Sequence, residues 1–154
     1  MIVLNEFIWR CDQYVYHITT KDAMPGIQKF GLIPLCGDRC KQVGDTEKRV
    51  YFIYNLSELF DWIKLLYGDI NIKDIEVLRF NLKNRRLYIL NDQEFYLKNA
   101  VKPEKIEYLR LYNPDTLEYV PLNMNGTSII QWCSMSDYIP FNSLSRVRIT
   151  NKKD

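Results

Sequence analysis

Histidine occurs once in this chain, at His17, within the stretch "QYVYHITTKDAMPGIQKFGLIP" that runs from Gln13 to Pro34. A neutral imidazole offers one hydrogen-bond donor and one acceptor, which suits recognition of a hydroxyl group. Thr19 lies two residues further on, so it shares a strand face with His17 and could add a second polar contact. Taken alone, a single histidine on a strand is more often a satisfied structural group than a binding one. The cysteines offer less chemistry. Cys36 and Cys40 form a C-x3-C pair, but no second pair and no nearby histidine completes a zinc site. With Cys11 and Cys133 they are expected to be ordinary reduced thiols, and no metal is expected.

The elements that must position these residues follow from pattern. "YVYHITT", Tyr14 to Thr20, is rich in β-branched and aromatic residues and predicts a strand. "KDAMPGIQKFGL" predicts a short helix capped by Asp22, with Pro25 near its start. Met24, Ile27 and Phe30 form its apolar face, and Gly31 takes the left-handed position that ends it. Cys36 to Lys48 is polar, glycine-punctuated loop. "RVYFIY", Arg49 to Tyr54, is a second strand. "NLSELFDWIKLLYGD" is a second helix, capped by Asn55 or Ser57, striped by Leu59, Ile63, Leu66 and Tyr67 and stopped by Gly68.

Strands dominate thereafter. They are "DIEVLRFNL", Arg86 to Asp92, about Ile106 to Tyr112, and "LEYVPL". In the last thirty residues only "IIQWC" and "RVRIT" read as strands. Two early helices followed by a run of strands predict an α+β fold with a largely antiparallel sheet.

The totals bound the rest. A chain of 154 residues is one domain's worth, spanning 1–154, and can bury a core without staples. Its residues are 47% hydrophobic and 26% charged, a soluble globular composition. Eleven tyrosines suit sheet faces and ligand walls. The shortage of alanine, found only at Ala23 and Ala100, resembles what AT-rich bacterial or phage genomes encode. A net charge of +2 argues against a protein built to coat nucleic acid, while leaving nucleic acid open as a substrate. No run of about 18 apolar residues predicts a membrane span. The N-terminal residues do not read as a signal peptide, so a cytoplasmic location is expected, or a host cytoplasm for a phage product.

Three segments together resemble a known family. "VYHITTKDAMPGIQKFGLIP", "RVYFIYNLSELFDWIKLL" and "EFYLKNAVKPEKIEYL" resemble, in order, the three signature regions of the ADP-ribosyltransferase superfamily. DNA-modifying toxins, RNA 2′-phosphotransferases and rifampin-type enzymes share such an opening. The resemblance covers about residues 14–112 and leaves 113–154 unassigned. It implies a split, mostly antiparallel sheet with NAD bound as a substrate between its halves.

Carried over residue by residue, the family's His-Tyr-Glu set falls on His17, Tyr51 and Glu94. Such a histidine bonds a ribose hydroxyl, with Thr19 as a second contact. The tyrosine stacks on the flat, partly cationic nicotinamide. The glutamate holds the nicotinamide-ribose 2′-hydroxyl, stabilises the oxocarbenium-like charge and helps deprotonate the acceptor. Tyr14, Tyr16 and Tyr54 compete with Tyr51 for its role, and Asp92 competes with Glu94. Arg39 or Arg49 could face the NAD pyrophosphate. The arginines of RNA 2′-phosphotransferases are missing here, where only Lys21 follows "YHITT", which argues against that activity.

The resemblance therefore implies an NAD-dependent ADP-ribosyltransferase, a toxin or phage effector acting on a protein or nucleic-acid acceptor. The alternatives are a catalytically degenerate binding protein of the same fold, an NAD glycohydrolase using water as the acceptor, and an interaction module that shares only the strand–helix pattern.

Overall fold

The computed structural model describes residues 4–8, 10–35, 48–68, 71–90, 94–122 and 128–140. Their order is β1 (Leu4–Ile8), β2 (Tyr14–Thr20), α1 (Met24–Phe30), β3 (Val50–Phe52), α2 (Leu59–Tyr67), β4 (Ile75–Asn81) and β5 (Arg86–Leu90). β6 (Glu94–Leu97), β7 (Glu107–Tyr112), β8 (Tyr119–Val120) and β9 (Ile129–Ser134) follow. Among the described residues the fold is α+β, with two short helices and two antiparallel sheets, neither closed into a barrel.

One sheet runs β1-β5-β6-β3 and the other β2-β4-β7-β8, with β9 on β7. Strand alternation sends one face of each sheet into a shared core. Val15, Leu78, Phe80 and Tyr108 of the second sheet meet Val50, Phe52, Leu87 and Leu97 of the first, with Met24 and Ile27 of α1. The opposite face of the second sheet carries Ile18, Ile75, Val77 and Leu109, covered by Leu59 and Ile63 of α2. Tyr88 and Tyr96 pack with Tyr51 in a separate cluster of the first sheet.

Several local expectations need correction. Asp22 caps nothing: the turn at Lys21–Ala23 and the start of α1 lack a side-chain cap bond. Met24 and Ile27 are buried, but Phe30 is exposed because α1 stops there, and Lys29 lies over its ring. Gly31 does have a positive φ, +83°, but its ψ of −167° is not helical. Its backbone runs so close to Val101 that a Cβ would collide with the Val101 carbonyl oxygen. In α2, Leu59 and Ile63 are buried and Tyr67 half-buried, whereas Leu66 is exposed. Asn55 caps the turn leading into it, accepting from the Ser57 amide at 3.0 Å. β1 was not expected; it pairs with β5 from Leu4–Leu90 to Ile8–Arg86. The expected strand "RVRIT" and most of the Cys36–Lys48 loop lie outside the described residues.

Candidate functional site

The two sheets meet where β2 passes β3. Tyr16 and Ile53 form a single antiparallel bridge, with amide-to-carbonyl distances of 2.9 and 2.7 Å. Continuing that register would pair Ile18 with Tyr51. The strands part instead, and side chains take over the carbonyls. The Tyr51 carbonyl accepts from His17 Nδ1 at 2.7 Å, and the Ile18 carbonyl accepts from the Tyr67 hydroxyl at 3.4 Å. A buried carbonyl needs such a partner. The one histidine therefore sits at the opening of the split.

This bond settles the histidine's chemistry. A carbonyl oxygen only accepts, so Nδ1 carries the proton. Burial lowers the imidazole pKa below its usual value, and the bond to Tyr51 offsets only part of that shift. His17 is thus a neutral Nδ1–H tautomer at pH 7, leaving Nε2 as an acceptor. No hydrogen bond to Nε2 is formed within the described residues. His17 is half-buried, and Thr19, on the same face, is buried beside Glu76 of β4.

The four candidate tyrosines pack against different partners. Tyr14 lies over the Arg79 guanidinium, Tyr16 packs on Trp132, and Tyr54 meets Phe95 edge-on. Tyr51 pairs with Tyr96 across β3 and β6, their rings 5.8 Å apart. Its hydroxyl accepts from Arg49 Nη1 at 3.2 Å. Glu94 opens β6 opposite Leu90, two residues before the partner of Tyr51. The Glu94 side chain, Asp92 and Arg39 lie outside the described residues. The structure therefore joins His17 to the Tyr51 carbonyl and places Glu94 on β6, the strand that pairs with β3.

A polar network on the second sheet was not anticipated. Arg110 forms a two-pronged pair with Glu76, Nη1–Oε1 at 2.6 Å and Nη2–Oε2 at 3.1 Å, with both side chains buried. Its guanidinium also donates to the Leu109 and Ile139 carbonyls, and Tyr138 donates to Glu76 Oε2 at 2.7 Å. Burial, then the bond to Glu76, pushes the Tyr138 phenol well above its usual range. The signal was legible in part. Glu76 and Arg110 each interrupt an apolar strand, and a charge in such a position calls for a partner.

Among the described residues, no group of three or more His, Cys, Asp or Glu side chains is placed to hold a metal ion. Among them, no helix is long and apolar enough to cross a membrane. Compared with protein-family models, curated proteins and solved structures, the chain matches none.

Proposed function

We propose that the chain is an NAD-dependent ADP-ribosyltransferase whose substrate enters the split between β2 and β3. The observation that carries this reading is the bond from His17 Nδ1 to the Tyr51 carbonyl. It ties together two of the three residues that the resemblance singles out, which lie 34 positions apart in the chain. It also leaves Nε2 as the acceptor that a ribose hydroxyl needs.

In this reading, His17 orients a ribose of NAD and Thr19 lines the same face. The Tyr51 ring stacks on nicotinamide. As the bond from the ribose C1′ to nicotinamide breaks, nicotinamide leaves with the electron pair and positive charge develops on the ribose. A carboxylate at Glu94 stabilises that charge. An acceptor nucleophile on a protein or nucleic acid then bonds C1′, and its proton passes to the carboxylate. The split, antiparallel arrangement is consistent with an ADP-ribosyltransferase-like fold.

The test is incubation with NAD labelled in the adenosine half, with and without cell lysate. Label transferred to a macromolecule supports the transferase. Nicotinamide release without transfer points to a glycohydrolase using the same site. NAD binding without turnover points to a degenerate member. Neither binding nor turnover overturns the reading.

A further inference from the structure

We infer that Arg49 is a positioning residue that holds the Tyr51 ring and does not grip the NAD pyrophosphate. This rests on the NAD reading above. Arg49 precedes β3 and shares a face with Tyr51, two residues on. Its backbone is pinned to Leu35 by two 3.1 Å hydrogen bonds. Its Nη1 donates to the Tyr51 hydroxyl at 3.2 Å, and the guanidinium carbon lies 4.8 Å from the centre of the Tyr96 ring. Tyr96 stacks on Tyr88 at 5.3 Å with an angle of 18° between planes, and Lys98 lies over the far ring.

Arg49 thus contacts both tyrosines, lying over the Tyr96 ring and bonding the Tyr51 hydroxyl. Guanidinium suits this place because it is flat enough to lie on one ring while donating to another group. Burial argues against the phosphate role. Arg49 is only 6% exposed and lies over Tyr96, itself only 1% exposed, so a pyrophosphate could reach the cation only by displacing what covers it. The hydrogen bond instead fixes the plane of Tyr51, the surface on which a flat ligand ring would stack.

The test combines Arg49→Met, Tyr51→Phe and the double variant, read by NAD affinity and by NMR of ¹³C-labelled tyrosine. Tyr51→Phe removes only the hydroxyl, and its NAD affinity should fall roughly tenfold, as expected for loss of a charge-assisted hydrogen bond. Arg49→Met should match that loss, and the double variant should be no worse than either single one. The Tyr51 ring resonances should shift in Arg49→Met without NAD present. Losses that multiply in the double variant would mark Arg49 as an independent phosphate ligand and overturn the inference. So would wild-type affinity in Tyr51→Phe, which keeps the test decisive if Arg49→Met does not fold. Unmoved Tyr51 resonances in a folded Arg49→Met would overturn it whatever NAD does. A wild-type protein that does not bind NAD, with Tyr51 still shifting in Arg49→Met, would instead overturn the NAD reading alone.

Discussion

His17 donates from Nδ1 to the main-chain carbonyl of Tyr51 across 2.7 Å, and the two residues belong to different sheets. The side chain thus replaces a backbone ladder bond at the point where the strands separate. A single contact both satisfies a carbonyl and fixes the tautomer of the one histidine. The bond gives His17 a structural role and leaves Nε2 for the ribose contact proposed above.

The tautomer has a pH signature. Burial holds the folded-state pKa of His17 below 6.5, so the unfolded chain binds a proton first as pH falls. The stability this contributes is whole above about 6.5 and is lost as pH falls through the folded-state value. Urea midpoints measured from pH 7.5 down to pH 5 should drop more for the wild type than for His17→Gln. Parallel profiles would show that the folded and unfolded pKa values coincide. At neutral pH, ¹⁵N spectra should show Nδ1 protonated and Nε2 bare.

The Glu76–Arg110 pair should be needed for stability because neither charge can be left alone at that depth. Arg110→Met leaves a buried carboxylate and should cost about 3–5 kcal/mol in urea unfolding. Tyr138→Phe removes one donor from the same carboxylate and should cost roughly 1–3 kcal/mol. If the two losses add fully in the double variant, Tyr138 and Arg110 do not act on a shared Glu76.

Gly31→Ala should be destabilising out of proportion to one methyl group. The positive φ disfavours a side chain there, and the new Cβ would push on the Val101 carbonyl, which already accepts from the Leu32 amide at 2.9 Å. The expected loss is at least about 2 kcal/mol by thermal or urea unfolding. A change below a few tenths of a kcal/mol would mean that the Leu32–Val101 contact gives way easily.

How much of this was readable from sequence depended on whether the cause was local. β2 runs from Tyr14 to Thr20 as expected because its β-branched and aromatic residues already prefer a pleated surface. α2 carried Leu59 and Ile63 on its buried side, and Asn55 capped the turn before it. Phe30 broke the expected α1 face because the chain turns at Gly31 to meet Val101, a contact seventy residues away in sequence. β1 depends on β5 as its partner, which five residues in isolation do not reveal. The imperfect alternation of "DIEVLRFNL" has its cause in Arg110, since Glu76 faces inward only because that cation meets it. In the same way, the surroundings of Tyr14, Tyr16, Tyr51 and Tyr54 are set by partners on other strands, such as Tyr96 across the β3–β6 register, which no local stretch reveals.

The most direct test of the central claim is nicotinamide release from NAD by the purified protein with cell lysate supplying the macromolecular acceptor, measured for the wild type, His17→Ala and Glu94→Gln, with each variant shown to be folded by circular dichroism. The account predicts release by the wild type and a loss of roughly a hundredfold or more in each variant, as expected when a group that stabilises transition-state charge or positions the substrate is removed. Wild-type release that survives in both folded variants would contradict it.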